Sequence, residues 1–272
     1  MSQHRRGVTT AVAMQKGGVG KTTTTIHLAR GASLAGLRAL VIDLDAQANT
    51  TSALCAVLPE AGEVSIADVM HPGAGGNVPL SDVVVASHWE GVDVAPSIGD
   101  PLSSAEDALT AKAMGREKQL RKALRPVRPD YDLILIDTPP NNRISTLNAL
   151  VAADKVLCVV NADQFSLDGL GDFRRTVQDV QEENTALQWA GILVNKWSDN
   201  NEKEESYREI VENFTEGEIW SYRVRDWTGV SSSHARGVPI DKWPGARFRV
   251  LAQQYKTWAQ ELAGWPETEN EE

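Results

Sequence analysis

The sequence predicts an α/β fold in which a doubly wound, mostly parallel sheet is flanked by helices. Two observations lead to this prediction. Short runs rich in Val, Ile and Leu recur along the chain, and helical patterns separate them. Runs that are hydrophobic on both faces are typical of strands covered by helices on both sides. The resulting β-α-β alternation, with right-handed crossovers, predicts one doubly wound sheet.

Five apolar runs are predicted as strands, and three longer segments as helices. The strand runs span residues 9–14, 38–45, 131–138, 155–162 and 189–197. The helical segments span residues 23–36, 105–126 and 167–184. Gly36 is expected to end the first helix, and Pro126 the second.

The chain is expected to form a single domain over residues 1–264, followed by an acidic tail at 265–272. Its 272 residues, 42% of them hydrophobic, are enough to bury a sizeable core. Residues 57–104 contain Pro and Gly punctuation and two short strand-like pieces, so we interpret them as an elaborated insertion between strands. Residues 202–218 are acidic and predict a solvated helix.

The composition predicts a soluble, cytoplasmic protein. A net charge of −10 disfavours broad binding to nucleic acid or anionic membrane, although a local basic patch would override it. Cys55 and Cys158 have no metal-ligand spacing and suit a reducing cytosol. The N-terminus shows no apolar region typical of a signal peptide, and no apolar stretch is long enough to span a bilayer.

Residues 17–22, GGVGKT, lie between the first predicted strand and the first predicted helix. Glycines in such a turn let backbone N–H groups point into one concavity, and the helix N-terminus adds partial positive charge. Lys21 is placed to reach the β- and γ-phosphates, and the Thr22 hydroxyl to bind Mg²⁺. This pattern predicts the P-loop nucleotide triphosphatase fold. The alternative is a glycine-rich turn that binds nothing.

The loop departs from the plain G-x-x-x-x-G-K-S/T pattern, because Gln15 occupies the first glycine position and Lys16 precedes the glycines. The stretch K-G-G-V-G-K-T-T resembles the deviant Walker A motif of the ParA/MinD superfamily of ATPases. The resemblance implies that Lys16 crosses a dimer interface to the phosphates of the partner's nucleotide. The alternative is an ordinary exposed loop lysine. The resemblance implies the following nucleotide-binding residues: Lys16, Gly17, Gly18, Val19, Gly20, Lys21, Thr22 and Thr23.

Residues 41–51, VIDLDAQANTT, place two aspartates at the end of a predicted strand. Asp43 and Asp45 are separated by one residue, so both lie on the same side of an extended chain and face the phosphate site. The stretch is similar to the D-x-D-P-Q-x-N motif of ParA proteins. That match implies that Asp45 orients the attacking water and that Asp43 lies near the metal. Ala46 stands where the family has Pro.

Residues 133–140, LILIDTPP, are four apolar residues, an aspartate and a turn. This is the Walker B arrangement, in which a carboxylate at the end of a buried strand holds Mg²⁺. We therefore assign Asp137 to magnesium. The segment resembles the family's I-D-C-P-P, with Thr138 in place of Cys.

Residues 191–201 contain a candidate for base recognition. The spacing excludes the guanine-reading N-K-x-D, because Asp199 lies one residue too far from Asn195. In the superfamily an Asn at this strand end contacts adenine, so the resemblance implies ATP bound by Asn195. The family's later P-R-N segment is not kept at residues 225–227. Trp227 there is either a stacking partner for the base or a core residue.

Basic residues recur in the C-terminal part of the chain. ParA proteins bind DNA without sequence preference through such residues, as ATP dimers. We assign DNA contacts to Arg223, Arg225, Arg236, Arg247 and Arg249. The alternative is scattered surface charges that balance the acidic helix at 202–218.

The resemblance covers most of the chain and weakens after about residue 220. It implies a Soj-like ParA ATPase with ATP and Mg²⁺, in which Lys16, Lys21 and Asp45 are catalytic. It further implies an ATP-dependent homodimer on nonspecific DNA of the nucleoid, plasmid or chromosome partition, and a ParB-like partner that stimulates slow hydrolysis. One alternative is a related ATPase that positions a non-DNA protein cargo. A second alternative is a metal-cluster or reductase ATPase of the same superfamily. It would need surface cysteines to hold a cluster, and Cys55 is the one cysteine that the sequence allows to be exposed. The acidic C-terminus, unlike the basic helix of MinD, predicts no membrane partner.

Overall fold

The computed structural model describes residues 7–60, 62–73, 78–140, 143–161, 167–214 and 218–265. These residues include seven strands: β1 Val8–Ala13, β2 Ala39–Asp43, β3 Val85–Ala86, β4 Val92–Ala95, β5 Leu133–Asp137, β6 Lys155–Asn161 and β7 Gln188–Asn195. They form one sheet in the order β3-β4-β2-β5-β1-β6-β7. Every neighbouring pair is parallel except β3 and β4. The predicted mostly parallel sheet is therefore confirmed.

Helices flank this sheet. Within the described ranges they are α1 Lys21–Leu34, α2 Asn49–Leu54, α3 Ile66–Met70, α4 Leu80–Val83, α5 Gly99–Ala111, α6 Gln119–Val127, α7 Ile144–Ala152, α8 Leu167–Glu183, α9 Asn201–Asn213, α10 Thr228–Ala235 and α11 Ala246–Ala263. None of the described helices combines the length and the apolar character that a membrane crossing requires.

The crossover directions assign the helices to two faces of the sheet. The chain passes through α1 from β1 to β2, and in the opposite direction through α7 from β5 to β6. Right-handed crossovers in opposite directions place their helices on opposite faces. Since α11 packs against α1 and α6 packs against α7, α11 and α6 also lie on opposite faces.

The prediction of one helix over residues 105–126 is wrong. The structure has two helices, α5 and α6, and a 3₁₀ turn at Arg116–Lys118 between them. The backbone becomes extended at Lys112 and left-handed at Gly115, with φ of 68°. Pro126 also does not stop the second helix, because it lies in the last turn and the helix continues to Val127.

Residues 57–104 extend the sheet on the side of β2. Both strand-like pieces of this segment become strands, β4 beside β2 and β3 at the edge. The acidic helix predicted at 202–218 is found as α9, where the Asn200 side chain accepts a hydrogen bond from the backbone N–H of Lys203. The domain limits at 1 and 264 remain a prediction, and tail residues 266–272 lie outside the described ranges.

Gly31 allows α1 and α11 to approach closely. A Cβ built at this position would collide with the backbone carbonyl of Tyr255. Backbone cannot move aside as a flexible side chain does, so we expect Gly31→Ala to lower the free energy of unfolding by about 1–3 kcal/mol. Denaturant unfolding would measure this change.

Gly171 provides the matched control. It also lies in a helix, α8, but a Cβ there meets nothing within 4 Å. Gly171→Ala is expected to raise the free energy of unfolding by about 0.5–1 kcal/mol, since alanine is the better helix former. Equal effects of the two substitutions would contradict the close approach at Gly31.

Candidate nucleotide site

The loop between β1 and α1 is shaped by two glycines in the left-handed region. Gly18 has a φ of 74°, and Gly20, the N-cap of α1, has a φ of 102°. A Cβ at Gly18 would meet nothing within 4 Å, whereas a Cβ at Gly20 would collide with the side-chain amide of Asn195. The loop is thus an open cradle on the side of Gly18 and is packed against β7 at Gly20.

Lys21 begins α1 and is buried, with 6% of its surface exposed. Its Nζ donates a hydrogen bond to the backbone carbonyl of Lys16 at 3.1 Å. Burial lowers the pKa of Lys21, and the negative charges of Asp137 and Asp45 oppose that change. The ammonium group has three donors and is held over the loop, so it is suited to bind anionic oxygens there.

Asp137 ends β5 in register with Asp43 of β2. Its Oδ2 accepts hydrogen bonds from the hydroxyls of Thr22 and Thr50, both at 2.7 Å. Its Oδ1 is buried and has no hydrogen-bond partner in the described part of the chain. Burial is the main reason that the pKa of Asp137 is raised to about 6.

This arrangement fits a divalent cation. An unpaired carboxylate oxygen beside a threonine hydroxyl supplies the hard oxygen ligands that Mg²⁺ prefers. A cation there would compensate the carboxylate charge whose burial raises the pKa of Asp137. Asp137 and Thr22 are the residues that would hold it.

Asp43 ties the end of β2 to α2. Its Oδ2 accepts hydrogen bonds from the backbone N–H and the hydroxyl of Thr51 at 2.8 and 2.7 Å, and its Oδ1 accepts one from the N–H of Asp45 at 3.1 Å. Burial, followed by the charge of Asp137, raises the pKa of Asp43 to about 7. The geometry gives Asp43 a loop-holding role, and its metal contact remains a prediction.

Asp45 lies in a tight turn after β2 and is half-buried. Its Oδ1 accepts a hydrogen bond from the N–H of Gln47 at 2.9 Å, and its carbonyl accepts one from the N–H of Ala48 at 2.9 Å. Ala48 is left-handed, with a φ of 52°. Asp45 acts electrostatically on both Lys21 and Asp137, so it belongs to the same cluster of charges.

Thr50 and Thr51 were not identified from the sequence as site residues. Both are buried, and their hydroxyls bond to Asp137 and Asp43 respectively. Two adjacent threonines shortly after the D-x-D pair were the available signal. They connect α2 to both buried carboxylates, so the turn that contains Asp45 is fixed at each end.

Asn195 ends β7 and packs behind the loop. It is 6% exposed, and its Nδ2 donates a hydrogen bond to the carbonyl of Val19 at 2.9 Å. Its observed contact therefore supports the loop, and the adenine contact remains a prediction. Lys16, Gly17 and Gly18 are exposed at the open side of the loop, and Thr23 is half-buried.

Four of the five predicted DNA-contacting arginines have partners within the chain, and for Arg223 and Arg225 these partners include carboxylates. Arg223 stacks over Trp197 with its guanidinium carbon 4.0 Å from the ring centroid, and faces Glu204 at 3.4 Å. Arg225 donates two hydrogen bonds to Asp199, at 2.8 and 3.1 Å. DNA contacts by these two arginines would compete with these partners.

The other three predicted DNA contacts, Arg236, Arg247 and Arg249, are exposed. The guanidinium carbon of Arg236 lies 5.7 Å from the ring centroid of Trp243, and that of Arg247 lies 4.8 Å from the ring centroid of Phe248. Trp227 is half-buried and packs edge-on against Phe248, with the ring centroids 5.7 Å apart. This contact favours the core interpretation of Trp227 over base stacking.

Comparison with known proteins finds relatives over most of the chain. The AAA domain family AAA_31 matches residues 7–189. The sporulation initiation inhibitor protein Soj of Bacillus subtilis is 37% identical over 185 residues, which cover 68% of this chain and 70% of Soj. The chromosome partitioning protein ParA of Caulobacter vibrioides is 32% identical over 233 residues, 85% of each chain.

A solved structure extends the comparison. Cobyrinic acid a,c-diamide synthase of Mycobacterium smegmatis, with bound ADP and magnesium, has 31% sequence identity and a TM-score of 0.74. The match covers 85% of this chain and 91% of the synthase.

Proposed function

The chain belongs to the AAA domain family AAA_31 and to the ParA/Soj group of partition-type ATPases, and we propose that it binds and hydrolyses ATP with Mg²⁺ as a molecular timer. The observation that carries this proposal is the junction of the glycine loop with β5. There the ammonium of Lys21, the hydroxyl of Thr22 and the unpaired oxygen of Asp137 lie together.

In this proposal the loop and Lys21 bind the phosphates. The backbone N–H groups of Gly17 to Gly20 and the N-terminus of α1 surround the β-phosphate, while Lys21 donates to the β- and γ-phosphates. Thr22 and Asp137 would hold Mg²⁺, and the bound cation would supply positive charge beside the phosphates. Asn195 holds Val19 through a hydrogen bond and packs closely against Gly20.

Asp45 orients the attacking water. Its carboxylate is carried by the turn that Asp43 and Thr51 fix to the end of β2. A water-positioning carboxylate must be held in place relative to the γ-phosphate, because orientation contributes much of the rate enhancement in such reactions. Hydrolysis is therefore expected to require Asp45, whereas ATP binding is expected to proceed without it.

ATP is proposed to close a two-fold dimer in which each Lys16 reaches the phosphates bound by the partner subunit. Lys16 is exposed at the open side of the loop, and its carbonyl is fixed by Lys21. Light scattering tests this step. Asp45→Ala protein is expected to bind ATP without hydrolysing it, and we expect it to have dimer mass with ATP and Mg²⁺ and monomer mass without them. Monomer mass under both conditions would contradict the dimer.

The ATP dimer is proposed to bind nonspecific DNA on the nucleoid through Arg236, Arg247 and Arg249, which are exposed. A ParB-like partner stimulates hydrolysis and so releases the dimer from DNA. The cargo is then a plasmid or a chromosome origin. The alternative, a protein cargo, would use the same cycle. Normal DNA segregation in a strain that lacks this protein would favour the protein cargo.

A further inference from the structure

Besides the C-terminal arginines, a second basic segment lies before β5 in the sequence, although the net charge of the chain is −10. Six of the fourteen residues from 112 to 125 are Lys or Arg, and Glu117 is the one acidic residue among them. This segment comprises the loop after α5, the 3₁₀ turn and most of α6. The proposed function makes no use of it.

Two of the six cations are engaged within the protein. Lys118 pairs with Glu183 at 2.6 Å, and Arg116 donates to the carbonyl of Thr110 at 2.8 Å. The other four make no ion pair and no side-chain hydrogen bond within the described part of the chain. Arg121 nevertheless lies near Glu183, whose pKa is lowered by Lys118 and, to a smaller extent, by the charge of Arg121. We call these four residues the α6 basic surface: Lys112, Arg121, Lys122 and Arg125.

The part of this surface that lies on α6 is held in place, because the opposite side of α6 belongs to the core. Leu120, Leu124 and Val127 are buried there. Lys112 and Lys122 line the same cavity of about 420 Å³. Arg121 and Arg125 are one helical turn apart, which separates them by about 6 Å along the axis. Three of the four cations are thus carried by a packed helix, and Lys112 lines the same cavity as one of them.

The α6 basic surface is separate from the C-terminal arginines. Arg247 and Arg249 lie on α11, which packs against α1 on one face of the sheet. The helix α6 packs against α7 on the other face. A straight DNA duplex therefore cannot contact both surfaces of the same subunit at once.

We propose that the α6 basic surface binds the phosphate backbone of nucleic acid, as a second contact of the DNA-bound dimer; this inference rests on the proposed function. Three cations spaced along one helix, with Lys112 beside the same cavity as Lys122, suit the dense, regular charge of a duplex. An anionic membrane is the less favoured partner. Peripheral helices anchor by inserting an apolar face into the lipid, and here that face is buried in the core.

The test compares two sets of four substitutions in the Asp45→Ala background with ATP and Mg²⁺. One set is Lys112→Gln, Arg121→Gln, Lys122→Gln and Arg125→Gln. The matched set removes the same charge at exposed C-terminal positions: Arg236→Gln, Lys242→Gln, Arg247→Gln and Arg249→Gln. Fluorescence anisotropy would measure affinity for a random-sequence duplex across salt concentrations, and light scattering would verify that each variant dimerises.

The α6 set is expected to weaken duplex binding by about 10-fold or more and to reduce the slope of log affinity against log salt by about 3. Wild-type affinity and slope in the α6 set, with loss in the C-terminal set, would overturn this inference and leave the proposed function standing. Binding of the parent dimer to vesicles with anionic lipid, but not to DNA, would overturn it in favour of a membrane. Binding to neither would also contradict the DNA step of the proposed function.

Discussion

Lys21→Ala is expected to abolish measurable ATP hydrolysis, with kcat/KM reduced by about 100-fold or more. The ammonium of Lys21 is the buried cation over the glycine loop and is held by the Lys16 carbonyl at 3.1 Å. Removal of one preorganised donor to a transition-state oxyanion costs about 10²–10³ in rate. Release of inorganic phosphate under single-turnover conditions would measure the loss.

Thermal unfolding distinguishes this loss from misfolding. Burial lowers the pKa of Lys21, so burying its charge does not favour the nucleotide-free fold. We expect Lys21→Ala to unfold near the wild-type temperature without nucleotide and to lose the stabilisation that Mg-ATP gives the wild type. Lys242→Ala, at an exposed position, is the control and should retain both hydrolysis and stabilisation. Full activity in Lys21→Ala would refute the proposed phosphate site.

The sequence predicted the strands of the sheet centre well, because those strands are buried on both faces. Residues 131–138 and 155–162 are nearly uninterrupted apolar runs, and β5 and β6 lie within them. The edge was harder to predict. The strand-like piece at residues 82–87 divides between the end of α4 and β3, which has only two residues, both exposed, so the sequence indicated a strand there but not its short length.

Two features of the fold depend on tertiary contacts that the local sequence pattern does not show. Residues 105–126 are rich in helix formers, yet the left-handed Gly115 and the packing of the 3₁₀ turn against α7 divide them into two helices. The loop-supporting role of Asn195 could also not be predicted from the sequence. Its contact with Val19 joins residues 176 positions apart, and only the parallel order of β1, β6 and β7 brings them together.

The candidate site shows the same division. The loop and both aspartate motifs are local patterns, so the sequence identified Lys21, Thr22 and Asp137, which the structure brings together. The hydroxyls of Thr50 and Thr51 became meaningful only when the register aligned Asp43 with Asp137. A pairing that depends on two adjacent strands is not contained in either segment alone.

Lys16→Ala is expected to prevent ATP-dependent dimerisation while the monomer still binds ATP. In the proposed dimer Lys16 contributes a charge to phosphates that the other subunit holds. Removal of one partner of a desolvated interfacial charge pair weakens association on the order of 100-fold. The Lys16 side chain is exposed, and its contact with Lys21 is made by the backbone carbonyl, which alanine retains. The subunit's own phosphate site is therefore preserved.

Two measurements separate this effect from that of Lys21. In the Asp45→Ala background, Lys16→Ala should keep the thermal stabilisation by Mg-ATP and lose the dimer mass in light scattering, whereas Lys21→Ala should lose both. Lys16→Arg keeps the charge and is expected to restore part of the dimer. A Lys16→Ala protein that still dimerises with ATP would show that Lys16 is an ordinary loop lysine. The dimer would then have to be held by other contacts.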